Sequence, residues 1–202
     1  MTTRVEHGRD RGQAFPIYVV MVAGLLFAAL AFFVIGQAAV TRSDAQGAAD
    51  AAALAAAREA RDHLVPGVVL VDLRPGDWED ILNGKLFYTA GACTEAMNFA
   101  ERNGAKATCD PSPLSFSVAV QTDGTVGKSV IPGTETMHGT ANATAVIEPR
   151  CHLVQPLPAD GAAQPGPIKI ACKGGKEVTF DPSKPDPWRT LGRSLFDVRL
   201  TD

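Results

Sequence analysis

The residues of this chain that are most able to do chemistry are its four cysteines. An even number of cysteines in an exported segment is typical of disulfide bonds. Of the three possible connectivities we expect Cys93–Cys109 and Cys151–Cys172, because these pairs close the shortest loops. The alternative is a zinc site that uses His152 beside Cys151. The sequence has no Cys-x-x-Cys pair and no two histidines at ligand spacing, so we predict no metal.

The other residues that could do chemistry do not form a recognisable catalytic pattern. Gly124 to Lys128, GTVGK, lacks the spacing of a phosphate-binding loop and reads as a turn. His63 closes a predicted helix and His138 follows a methionine in a turn. The acidic residues around Trp78 mark the start of an exposed helix. We therefore predict no catalytic residue, no cofactor and no enzyme, and the net charge of −3 without a basic patch argues against nucleic-acid binding.

An uncharged segment near the N-terminus predicts a membrane helix. It runs from Gln13 to Val40 and exceeds the ~20 apolar residues that cross a bilayer. Three arginines precede it and a single one, Arg42, follows closely, which favours a cytoplasmic N-terminus and an extracytoplasmic head. A cleaved secretory signal is the alternative, although its apolar core would be shorter. The segment predicts a single-pass protein of the cell membrane.

Ten of the next two dozen residues, 41–64, are alanine. Alanine is the best helix former, and the segment has no proline, so a helix that continues out of the membrane is expected. Ser43 and Asp44 could instead cap a new helix. The four alanines of one helix face form a candidate packing stripe: Ala45, Ala48, Ala52 and Ala55. Its partner could be the chain's own sheet or a neighbouring copy, and a solvated spacer helix is the remaining alternative.

The remaining residues, 65–202, predict a small exported head. Two short helices, about 78–82 and 89–103, precede segments that alternate in polarity, such as SFSVAVQ at 115–121. Cys93, Met97 and Ala100 are expected on one face of the second helix. Further short strands are expected at 140–147, 168–172, 177–180 and 195–200, with a hairpin tip at 173–175 and a loop at 155–167. The fold class predicted is α+β: one transmembrane helix that continues into an alanine-rich helix, then an antiparallel sheet of four to five strands in a pilin-like plan.

The N-terminal order resembles that of the TadE/TadG-like proteins of the Flp (Tad) pilus and tight-adherence secretion system. The family has an arginine-containing leader that ends in glycine, an apolar span, and a run that Gln46 to Ala55, QGAADAAALA, matches closely. AMNFAERNGA at 96–105 is similar to the family's second helix. The resemblance covers residues 9–64 well, residues 90–105 moderately and the remainder hardly at all.

The resemblance implies a function and a processing site. Gly12 would be the position of leader cleavage, but processed members carry a Glu five residues later, where this chain has Ile17; the following aromatic residue, Tyr18, is kept. The family implies a membrane-anchored, non-catalytic assembly component of a bacterial pseudopilin-like system, whose partners are membrane lipid, other pilus-assembly proteins or further copies. The alternative is a membrane-tethered extracellular binding module of the cell envelope. The predicted divisions are a leader at 1–12, the span at 13–40, the alanine-rich helix at 41–64 and the head at 65–202.

Overall fold

A computed structural model describes residues 14–63, 73, 75–85, 87–127, 133–154, 167–181 and 188–201. The candidate cleavage position at Gly12 and nearly all of the proline-rich loop predicted at 155–167 lie outside these residues.

The first helix, α1, is continuous over 49 residues from Ala14 to Asp62. At 1.5 Å per residue it is about 74 Å long. Ser43 and Asp44 do not interrupt it, because the alanines on both sides favour a helix more strongly than a serine or aspartate cap favours a break. Its apolar N-terminal half is long enough to cross a membrane, and the most apolar window of that half is not buried at all. α1 is the one candidate membrane span among the described residues.

The head contributes three short helices and seven strands among the described residues. The helices are α2 (Pro75–Leu82), α3 (Ala92–Arg102) and α4 (Trp188–Leu195). The strands are β1 (Ala105–Ser112), β2 (Ser115–Thr125), β3 (His138–Pro149), β4 (Cys151–Leu153), β5 (Ile168–Cys172), β6 (Lys176–Phe180) and β7 (Phe196–Thr201).

The larger sheet has the order β1-β2-β3-β7, and every pair in it is antiparallel. The alternation in β2 turns Phe116, Val118 and Val120 inward, and β3 adds Ala145 and Ile147 to the same face. α1 covers this face together with α3. The α+β class with a long N-terminal helix and an antiparallel sheet is therefore confirmed.

Strands β4, β5 and β6 form a second, three-stranded sheet that the sequence did not predict as separate. The β5–β6 hairpin is where the glycines predict it, and Gly174 and Gly175 have φ of 84° and 75°, values that suit glycine. Ile168, Ile170 and Phe180 are buried on this sheet, and the ring of Phe180 lies 5.5 Å from that of the buried Trp78. The buried residues of the second sheet thus pack against α2.

Two helical predictions need correction. α2 begins at Pro75 rather than near Trp78, since proline is well accommodated in the first turn of a helix. In α3, Met97 does not share the buried face with Ala100, because 45% of its surface is exposed. The buried face of α3 consists of Ala92, Ala96 and Ala100, whose short side chains allow a close approach to α1.

Candidate functional site

The alanine face of α1 is the central element of the head's core. All four residues of the predicted stripe are buried, with 0–5% of their surface exposed. The buried surface is wider than the stripe. It also includes Ala49, Ala53, Ala56, Ala57 and Ala60.

The partner of this face is the chain itself. α1 packs against β2 and β3, and α3 lies beside it on the same face of the sheet, against β1. A helix covered from two directions buries more than one ridge, which is why Ala53 is as inaccessible as Ala52. The structure thus has residues 45–60 as a core helix rather than a solvated spacer. With the alanines covered internally, they offer no surface to a neighbouring molecule.

A glycine at the start of β3, Gly139, sets the distance between the sheet and α1 near Thr41. A Cβ atom on Gly139 would overlap the backbone carbonyl of Thr41. The amide of Gly139 donates a hydrogen bond to the hydroxyl of the buried Thr122 at 2.9 Å, and that hydroxyl donates to the carbonyl of Gly124 at 2.7 Å. The register of β2 and β3 is irregular between Gln121 and Thr125, and the hydroxyl of Thr122 supplies hydrogen bonds to the backbone there. The strands can therefore approach the helix closely.

The disulfides are the two pairs expected from the sequence. Cys93–Cys109 joins α3 to the edge strand β1, with its Cα atoms 5.5 Å apart. Cys151–Cys172 joins the neighbouring strands β4 and β5, where the two residues are directly paired. The first bridge ties the helix that covers α1 to the larger sheet. The second lies within the smaller sheet.

An ion pair joins the far end of α1 to α4. Nη2 of Arg193 lies 2.8 Å from Oδ2 of Asp62, and Arg61 lies 3.0 Å from the other oxygen of the same carboxylate. Burial alone raises the pKa of Asp62, but the hydrogen bonds from Arg193 and Arg61 outweigh it, so the pKa lies below its usual value. This ion pair holds α4 against the C-terminal end of α1.

We expect this pair to make the head less stable in acid. A carboxylate with a lowered pKa contributes stability above the pKa that it has in the unfolded chain, and the contribution is lost as the pH falls through the folded value. Asp62→Asn should therefore lower the free energy of unfolding at neutral pH by less than about 1 kcal/mol, because 56% of Arg193 is exposed. The deficit should shrink below about pH 4. Urea unfolding at several pH values measures this difference, and a deficit that does not change with pH would contradict the assignment.

The candidate acid–base residues each have local structural contacts. The ring of His63 lies 3.2 Å from the carboxylate of Glu59, one helical turn earlier. Nδ1 of His138 donates to the carbonyl of Thr122 at 2.7 Å. Asp80 pairs with Lys85 at 2.8 Å, and this hydrogen bond raises the pKa of Lys85. Among the described residues no three potential metal ligands lie together.

A shallow polar cleft of about 390 Å³ lies in the described part of the head. It lies between the start of the alanine-rich half of α1, the end of α3 and the irregular part of β2. Its walls include Thr41, Asp44, Asn103 and Thr125. These hydroxyl, amide and carboxylate groups give the cleft a polar lining.

The comparison with known proteins matches residues of α1 and of the leader just before it. Residues 12–59, about a quarter of the chain, match a family model described as Flp pilus-assembly TadE/G-like. No curated protein and no solved structure matches the chain. The match begins just before α1 and ends three residues before the end of this helix, so it includes both the apolar half and the core alanines. Residues 12–59 of this chain are therefore similar to the TadE/G-like Flp pilus-assembly family.

Proposed function

We propose that the protein is a single-pass, membrane-anchored assembly or structural component of a Flp (Tad) type pilus or tight-adherence secretion system. Its N-terminus is cytoplasmic and its head is extracytoplasmic. It works without a cofactor and without catalysis, through the position in which it holds its head.

The observation that carries this proposal is that one helix serves as the matched segment, the candidate span and the core of the head. Phe15 to Phe33 are exposed and largely apolar, whereas nine alanines between Ala45 and Ala60 are buried in the head. No described break separates the two parts of the helix. A head built around its own anchor follows the anchor as a rigid body, and that property suits a component that transmits or resists force in an envelope machine.

The arrangement also informs the domain division that we propose. The leader is residues 1–12 and the span is residues 13–40. Residues 41–64 are then structurally a part of the head at 65–202, because their alanines pack against β2, β3 and α3. A fragment that begins at residue 65 would lack the element that covers the larger sheet.

The partners that we propose are membrane lipid, other pilus-assembly proteins and further copies of the chain. Since the alanine face is covered internally, these proteins must meet the outer surfaces of the head or the exposed apolar half of α1. Co-purification of the full-length chain from membranes with components of a pilus machine, and its distribution between sheared surface material and membrane fractions, test the proposal. Recovery of the protein without any pilus component would favour the alternative, a tethered binding module.

The proposed topology predicts a labelling pattern. Lys176 is exposed on the β5–β6 hairpin, so a cysteine at Lys176→Cys should react with a membrane-impermeant thiol reagent in intact cells. Thr3→Cys, in the leader, should react only after lysis. The described cysteines are all in disulfides and stay silent without a reductant. The reverse pattern would place the head in the cytoplasm and would contradict the proposal.

A further inference from the structure

The polar cleft between α1, the end of α3 and the irregular part of β2 is lined entirely by residues that the structure describes. Its volume of about 390 Å³ lies at the lower end of the range for small-molecule sites. None of these described residues is a lysine, an arginine or an aromatic residue, and Asp44 contributes the one formal charge of the lining. The lining is therefore negative and contains no cation that neutralises it.

Two arginines close to the cleft in sequence do not pair with Asp44. Arg102, in the last turn of α3, lies 3.0 Å from Glu95 and 4.3 Å from the centre of the Phe99 ring, so its side chain runs back along α3. Arg42 is exposed and lies two residues before Asp44, a spacing that does not bring two side chains of a helix together. Within the described part of the chain, Asp44 forms no ion pair. The C-terminal end of α3 adds a partial negative charge at the cleft.

Three polar side chains of the lining already donate hydrogen bonds within the protein. The hydroxyl of Thr41 donates to the carbonyl of Gln37 at 3.1 Å, and the side-chain amide of Asn103 donates to the carbonyl of Phe99 at 2.7 Å. The hydroxyl of Thr122 donates within β2. The cleft therefore presents mainly acceptors, which are the carboxylate, the amide oxygen and the lone pairs of the hydroxyl groups. Such a lining suits a ligand that is positively charged and donates several hydrogen bonds.

The place of the cleft along α1 determines which ligands it meets. Thr41 directly follows the uncharged run, and Asp44 lies four residues beyond Val40, about 6 Å further along the helix axis. The headgroup layer on one side of a bilayer is roughly 5–8 Å thick. On the membrane anchoring proposed above, on which this inference rests, the carboxylate lies at the depth of the lipid headgroups. A headgroup held beside α1 has a high effective concentration at the cleft, so that even a weak site is occupied.

We propose that this cleft binds the primary ammonium group of a phospholipid headgroup, as phosphatidylethanolamine presents it. The ammonium has three N–H donors for the carboxylate of Asp44 and the amide oxygen of Asn103. The quaternary ammonium of phosphatidylcholine has no N–H group and is recognised by aromatic rings, which the described lining lacks. A divalent cation fits less well, because hard cations take six or more oxygen ligands and the lining has a single carboxylate. A bound headgroup ties α1, α3 and β2 together at the membrane surface.

Native mass spectrometry of the full chain tests the proposal by counting the lipids that it retains. The chain is released from nanodiscs that contain equal amounts of phosphatidylethanolamine and phosphatidylcholine. We expect the wild-type chain to retain phosphatidylethanolamine about three- to tenfold in preference, the range for one charge-assisted hydrogen bond in a partly exposed site. Asp44→Asn should retain the two lipids about equally. Asp50→Asn is the matched control and should keep the preference, because Asp50 is on the same helix, accepts from Gln46 at 2.8 Å and does not line the cleft.

A second variant separates loss of the ligand from loss of the fold. Gly47 lines the cleft, and a Cβ atom there would meet nothing within 4 Å, so Gly47→Leu fills the cleft from the side of α1. Leucine is a better helix former than glycine, and urea unfolding in nanodiscs of phosphatidylcholine should therefore show no loss of stability. We expect this variant, too, to retain the two lipids about equally.

The outcomes distinguish the cleft from the anchor. Equal retention of the two lipids by the wild-type chain would overturn the proposal, and so would an unchanged preference in Asp44→Asn and Gly47→Leu. Dissolved phosphoethanolamine, added to nanodiscs of phosphatidylcholine, should not be retained, and its retention would assign the cleft to a soluble amine instead of a lipid. Failure of the full chain to enter nanodiscs would contradict the anchoring itself, and the inference would fall with it.

Discussion

Replacing both Cys93 and Cys109 by alanine is expected to lower the free energy of unfolding of the head by about 3 kcal/mol. The bridge spans a sequence separation of 16 residues, and its loss frees that loop in the unfolded chain. The native state also loses a tie between α3 and β1. As an edge strand, β1 has a single neighbouring strand to hold it, and α3 is one of the two layers that cover the alanine face.

The measurement is urea unfolding of the full-length chain in nanodiscs, followed by far-ultraviolet circular dichroism. The paired replacement of Cys151 and Cys172 is the matched comparison. Its loop is of similar length, 21 residues, but it joins strands that are already hydrogen-bonded neighbours. Both double variants should lose a similar amount of the free energy of unfolding if the disulfides stabilise the head mainly by restricting the unfolded chain. An unchanged unfolding midpoint for the first variant would contradict the structural role of Cys93–Cys109.

The parts of the fold that could be predicted from the sequence are those with an uninterrupted local pattern. The apolar run predicts a long helix, SFSVAVQ predicts β2, and the glycine pair at 174–175 predicts the hairpin. Strand β1 has no such pattern, because its sequence, AKATCDPS, contains Asp110 and Pro111 and has few large apolar residues. It is a strand because it pairs with β2 along its whole length and is tied to α3. Tertiary contacts determine such a segment.

The alanine face shows the same limit within a single helix. The helical spacing of the alanines identified four buried positions. It did not predict the width of the buried surface, because the spacing within α1 contains no information about α3, the second helix that packs against it. The same spacing placed Met97 on the covered face of α3, where alanines lie instead. The approach of Gly139 to Thr41 and the pairing of Asp62 with Arg193 depend on residues 98 and 131 positions apart. Local sequence contains no signal for either.

The conservative change Ala52→Leu should destabilise the head, although leucine is nearly as good a helix former as alanine. Ala52 has 0% of its surface exposed and belongs to the core that α1 shares with the sheet and α3. A leucine there has no space, and overpacking of this kind costs about 1–3 kcal/mol. Ala53→Leu should have a similar effect, because Ala53 is also 0% exposed. Ala51→Leu is the control, since Ala51 is only half-buried.

Urea unfolding of the three variants in nanodiscs, beside the amount of each that is recovered in the membrane fraction, separates packing from insertion. Residues 15–33 are unchanged in all three, so insertion should be equal and the losses should appear only in the stability of the head. Equal stability of the variants at positions 51 and 52 would mean that the alanine face is loosely covered. In that case the anchor and the head would not form one rigid unit, and the mechanical coupling on which the proposed function rests would lose its physical basis.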